Sequence, residues 1–135
     1  MSPSFRVTFD LRTLIAAVVG RPIRLPAALL ERHPGLAHAR WRQGGIPPRI
    51  GGLALGMRSV QGITLGRTVF LDSQASLNPA LLLHELAHVH QFERDGTFPI
   101  RYVLESLRRG YHANRYELEA NSYAARQLSR PSSGA

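Results

Sequence analysis

The chain has 135 residues and carries 17 arginines and no lysine against nine acidic side chains, for a net charge of +8 at pH 7. That length suits one domain able to bury a core without covalent staples. The absence of cysteine excludes disulfides and thiolate ligands, so any metal must be held by histidines and carboxylates. The arginines are scattered from Arg6 to Arg130, with Arg108 and Arg109 the only adjacent pair. No basic patch is interleaved with aromatics, so dedicated nucleic-acid binding is not expected. An acidic partner or an anionic membrane surface stays compatible with the charge.

In chain order, Phe5 to Phe9 alternates apolar and polar residues and predicts a short strand. Leu14 to Val19 is apolar but short, preceded by Asp10 and followed by Arg21, Pro22 and Arg24. This reads as a buried helix or strand rather than a signal peptide, and no run approaches a membrane span. Without a convincing signal peptide the expected compartment is the cytoplasm, although specialised export needs no such signal. Pro26 to Arg32 predicts a short helix, and Leu36 to Arg42 another. Gly44-Gly45-Ile46-Pro47-Pro48 marks a loop. From Ile50 to Leu71 strand formers alternate with glycines, and Met57 to Leu71 predicts a hairpin turning near Gln61-Gly62 or Gly66-Arg67.

Next comes the most informative stretch, His84-Glu85-Leu86-Ala87-His88-Val89-His90-Gln91. Asn78 can cap a helix with Pro79 in its first position, Leu81, Leu82, Leu86 and Val89 form an apolar stripe, and Gly96 provides a stop. On that helix His84 and His88, four apart, project from one face and can grip one metal ion, while Glu85 can contact a water without being a ligand. In zinc-dependent hydrolases two imidazoles hold the ion and a carboxylate deprotonates the attacking water. A shuffled chain of this composition gives the three-residue pattern about one time in a hundred, so chance is a poor explanation. A pair of ordinary core histidines is the plain alternative. His90 faces away from the pair, and Gln91 either packs near the site or is solvated. His33 and His38 read as surface histidines.

A third ligand must come from elsewhere, with the fourth position left open. Val103 to Arg109 predicts a helix ended by Gly110, and Asn114 to Ser129 another, stopped by Pro131. On the latter, Tyr116, Ala120, Tyr123 and Ala124 mark a buried face beside Glu117 and Asn121. Glu117 is assigned as third ligand, with Glu119 as the alternative, and Asn121 as the group that orients a ligating histidine through its other ring nitrogen. Tyr111, His112 and Arg115 are candidates to stabilise a developing oxyanion, with Tyr111 preferred.

His84-Glu85-x-x-His88 followed by Glu117-x-Glu119-Ala120-Asn121 resembles the gluzincin class of metallopeptidases. The chain is also similar, over residues 53 to 126, to small bacterial metallopeptidase domains often found with extracellular contractile injection systems. In those domains a pattern like Ile63 to Phe70 precedes the His-Glu-x-x-His helix. They usually carry Asp where Asn121 stands. The resemblance implies a minimal zincin-like α+β domain, with a small antiparallel sheet packed on the active-site helix and a C-terminal helix carrying the third ligand. It also implies a zinc-dependent peptidase with Glu85 as general base, acting on a peptide or protein. The competing expectation is a non-catalytic metal-binding module, such as a secretion-system accessory or effector protein. The expected organisation is a single domain, with a mainly helical segment over 1–48, the sheet over 50–71, the metal-site helices over 78–129 and a flexible tail over 130–135.

Overall fold

A computed structural model describes residues 11–48 and 61–131. The expected strand at Phe5 to Phe9, the segment 49–60 and the end of the tail lie outside the described residues. In chain order the elements are α1 (Leu11–Val19), β1 (Arg21–Pro22), α2 (Ala27–Arg32), a 3₁₀ turn (Pro34–His38), β2 (Arg40–Gln43), β3 (Gly62–Leu65), β4 (Thr68–Leu71), α3 (Pro79–Arg94), α4 (Phe98–Arg109) and α5 (Arg115–Ser129). The architecture is α+β, with one four-stranded sheet in the order β1-β2-β4-β3.

The sheet is mixed rather than wholly antiparallel, because β2 runs parallel to β4. Its strand comes from the segment expected to be helical, Leu36 to Arg42. Arg40-Trp41-Arg42-Gln43 buries Trp41 between two more exposed arginines. The Trp41 indole N–H donates to the Leu36 carbonyl at 2.8 Å. Pairing with β4 and burial of the indole override the local helical preference. Residues 11–48 thus hold α1, α2 and the 3₁₀ turn and also supply two of the four strands.

The hairpin of β3 and β4 turns at Gly66-Arg67, the second of the two expected positions. Gly66 has φ +63°, as a two-residue loop requires. Thr64 pairs with Val69 and Ile63 with Phe70. Among the described residues β3 has no neighbour on its other side.

The core lies between this sheet and the helices α3 and α5. Leu36, Trp41, Val69, Leu71, Leu82, Leu83, Leu86, Val89 and Ala124 form one buried cluster. Leu82, Leu86 and Val89 are buried as the apolar stripe of α3 predicts, and Leu81 packs partly against them. Asn78 caps α3 as expected, its side chain accepting from Leu81 N at 2.9 Å. The most extensive helix packing is that of α3 on α5, where the small Ala120 and Ala124 let the two backbones approach.

Two helices depart from expectation. The apolar segment from Leu14 to Val19 is helical but not buried: Leu11, Leu14, Ile15 and Val18 are 42–67% exposed. Helix α4 begins at Phe98, five residues before the expected Val103, because Pro99 fits its first turn. It turns Phe98 and Glu105 inward and leaves Ile100, Val103, Leu104 and Leu107 exposed. Gly110 ends it with φ +77°. No described helix is long and apolar enough to cross a membrane.

Asn114 joins α4 to α5. It is fully buried, accepts from Tyr116 N at 2.8 Å as the cap of α5, and donates to the Tyr102 carbonyl at 3.1 Å and Ser106 Oγ at 2.8 Å. Asn114→Ala removes the cap and the bonds to two part-buried acceptors, and is expected to lower stability by about 1–2 kcal/mol in chemical denaturation. A change below about 0.5 kcal/mol, the range of ordinary surface substitutions, would contradict this role.

Candidate metal centre

His84 and His88 lie one turn apart on α3, and Glu117 sits in the first turn of α5, where a helix favours a carboxylate. The packing of α3 on α5 brings the three together. His84 Nε2 lies 2.9 Å from Glu117 Oε2, His88 Nε2 lies 3.1 Å from Glu117 Oε1, and the two Nε2 atoms are 3.2 Å apart. A tetrahedral cation with ligands about 2.0–2.1 Å away holds them roughly 3.3 Å from one another. Two imidazole nitrogens and one carboxylate are therefore close enough to converge on one small cation, and among the described residues they form the one group of three or more His, Asp and Glu side chains able to hold a metal ion. Glu119, the alternative ligand, points elsewhere and pairs with Arg94 at 2.7 Å.

The other ring nitrogens are occupied. His84 Nδ1 donates to Asn121 Oδ1 at 2.8 Å, the role assigned to Asn121 from its i, i+4 relation to Glu117. His88 Nδ1 donates to Gln91 Oε1 at 2.7 Å. The Gln91 amide cannot be reversed, because its Nε2 donates to the Tyr116 carbonyl at 3.1 Å. That bond leaves the amide oxygen facing His88, so Nδ1 carries a proton and Nε2, turned toward Glu117, is the nitrogen that can take a cation in exchange for its own proton. Gln91 is 1% exposed, which removes the solvated alternative for it.

Glu85 is buried in the same cavity but bonds to neither histidine. Thr64 Oγ1 donates to Glu85 Oε2 at 2.8 Å, so β3 fixes the carboxylate from the opposite wall. Gly62 matters for the space it leaves: a Cβ there would lie 2.9 Å from the Glu85 carboxylate carbon and from Oε1. Tyr111 lines this cavity as well, together with His84, Glu85, His88 and Glu117. His112 is exposed, and Arg115 reaches the Tyr116 hydroxyl at 2.8 Å, so neither joins Tyr111 there.

Tyr102 is the contact that sequence reasoning missed. Its hydroxyl donates to Glu117 Oε1 at 2.7 Å. It lies on α4, whose inward face could not be assigned from its apolar pattern, because that pattern faces out. Thr64 carried a weak signal, standing two from Gly62 on one face of the predicted hairpin. His90 points away from the ligand pair, as helical geometry requires, and lies against His38 and Tyr123. His38 accordingly has partners, bonding Glu93 at 2.6 Å.

The charges at the centre reinforce one another. Burial lowers the pKa of His88, but its hydrogen bond to Glu117 and the negative charges of Glu85 and Glu117 outweigh that, and the imidazole is pushed up to about 9. Burial raises the Glu117 carboxyl, yet the bonds from His84 and His88, the charge on His88 and the Tyr102 hydroxyl together hold it well below the usual carboxylate range. Burial pushes the Tyr111 phenol above its ordinary range, and the negative charges of Glu117 and Glu85 add to it.

No protein family matches this chain, and no curated protein or solved structure was found to match it.

The pKa directions fix a pH dependence for the chelator-treated protein. A histidine raised from 6.5 to about 9 stabilises the fold fully below pH 6.5 and loses that contribution as pH rises through 9. A carboxylate lowered from 4.5 stabilises above pH 4.5 and loses its contribution as pH falls. Both act together between about pH 4.5 and 6.5, where the urea midpoint of the chelated protein is expected to peak. A midpoint still climbing from pH 7 to 9 would contradict the coupling.

Proposed function

We propose that this protein is a zinc-dependent metallopeptidase of gluzincin type, with Glu85 as its general base. The observation that carries this reading is the spacing of His84 Nε2, His88 Nε2 and the Glu117 carboxylate, 2.9 to 3.2 Å apart, with a second buried carboxylate beside them that bonds to neither histidine. A zinc ion held by those three side chains would supply Lewis acidity to a water molecule and to the carbonyl of the bond to be cut.

The remaining work falls to the protein's own groups. Glu85 Oε2 receives the Thr64 hydroxyl, which leaves Oε1 to take a proton from the attacking water and deliver it to the leaving amine. Tyr111 keeps its proton at neutral pH, since burial and its acidic neighbours raise its pKa, and can donate to the developing oxyanion. Tyr102 and Gln91 hold Glu117 and His88 in place through the bonds described above.

Substrate binding follows from the hairpin. Asp72 N donates to the Gln61 carbonyl at 2.8 Å, which marks that pair as hydrogen-bonded. By the alternation of an antiparallel ladder, the backbone groups of Gly62 and Thr64 then face the side of β3 that has no neighbour among the described residues. An extended peptide can add to this edge as another strand, directly above Glu85. The same site in a non-catalytic metal-binding module or secretion-system accessory protein would have no use for a base held at this position.

Two variants separate the roles. Glu85→Gln is expected to keep stoichiometric zinc and to lose at least about a hundredfold in peptide turnover, the lower range for a general base. His84→Ala is expected to lose the metal itself, read by elemental analysis. Equal turnover by Glu85→Gln and the parent would remove the assigned base, and undiminished zinc in His84→Ala would remove the ligand.

A further inference from the structure

Two cavities of different chemistry meet at His84, Glu85 and Tyr111. The first, of ≈ 280 Å³, opens on the α4 side and is walled by Ile63 and Leu65 of β3 and by Phe92, Phe98, Pro99 and Val103. The second, of ≈ 710 Å³, opens on the side of Asn78 and Asn121 and is lined mostly by small or polar groups such as Ala80, Ala124 and Ala125. We infer that the first cavity seats a single bulky apolar side chain of the substrate next to the bond to be cut, while the second imposes little selection on the other side. This rests on the peptidase reading.

Polar bookkeeping within the smaller cavity points the same way. The Thr64 hydroxyl is committed to Glu85 and the Tyr102 hydroxyl to Glu117, which leaves Tyr111, assigned above to the oxyanion, as the one other side-chain hydroxyl lining the cavity. The negative charges of Glu85 and Glu117 repel an acidic side chain. Phe92, Phe98 and Tyr102 pack ring against ring, with centroids 4.8 Å apart for the first pair and 5.7 Å for the second, so the aromatic wall is braced from behind. Binding cavities for small ligands run from about 300 to 1,000 Å³, which makes ≈ 280 Å³ suitable for one large side chain and not for a longer segment.

Val103 is the position from which to test this. It lines the cavity, is more than half exposed, and forms part of no bond to the ligands, so Val103→Trp can fill the space without touching the centre. Phenylalanine hydroxamate and alanine hydroxamate provide a probe pair whose binding needs no turnover. The zinc-loaded parent is expected to bind the phenylalanine compound at least about tenfold more tightly, and Val103→Trp to abolish the difference with zinc content unchanged. In a degenerate peptide library the parent is expected to cut beside Phe, Leu or Met, and Val103→Trp beside Ala or Val.

Equal binding of the two hydroxamates by the parent overturns the inference, as does a preference for the larger one that survives Val103→Trp with zinc intact. Discrimination between the hydroxamates with no peptide cut by the zinc-loaded parent would support the apolar cavity and count against the peptidase reading instead.

Discussion

The bonds from Glu117 on α5 to His84 and His88 on α3 organise the rest of the structure. All three side chains are largely withdrawn from water, a cost that is tolerable only because each satisfies the others. Their distances depend on how closely the two helices approach, and that is set by Ala120 and Ala124 against the leucine face of α3. Glu117 and Asn121 sit one turn apart and address the two sides of the His84 ring, so α5 has a single workable register. A slip of one turn, about 5.4 Å, would set the neutral amide of Asn121 where the carboxylate belongs.

Glu85 shares the cavity but is governed by a different element. The sheet holds it through Thr64, and Gly62 leaves room for it, so the hairpin decides where this carboxylate sits while the helix pair decides where a cation would be held. In the proposed peptidase, keeping the two carboxylates under separate control would let one serve as ligand and the other as base within one small cavity. Among the described residues the same hairpin leaves one edge of β3 unpaired beside Glu85, so in the proposed peptidase a substrate strand and the proton acceptor would be aligned by one piece of backbone.

Much of the site was legible because it is local. His84, Glu85 and His88 fall within five residues of one helix, and the cap at Asn78-Pro79 fixes that helix in phase. Glu117 was recoverable from the facing of a second helix, whose buried residues Tyr116, Ala120 and Ala124 indicate which acidic side chain points inward. What escaped was set by tertiary contact. The apolar stripe of α4 faces solvent, so the usual inference from pattern to burial points Tyr102 the wrong way. The stripe of α1 misleads similarly, since Leu11, Leu14, Ile15 and Val18 remain exposed. Strand β2 was hidden because Trp41 is buried by a parallel neighbour some thirty residues further along the chain.

X-ray absorption at the zinc edge, on protein purified with zinc, reads whether His84, His88 and Glu117 hold the ion together. One zinc per chain is expected, with a tetrahedral set of light ligands about 2.0–2.1 Å away and multiple-scattering features of two imidazoles. A chain that retains no zinc under these conditions, or a zinc shell without two imidazoles, would contradict that arrangement.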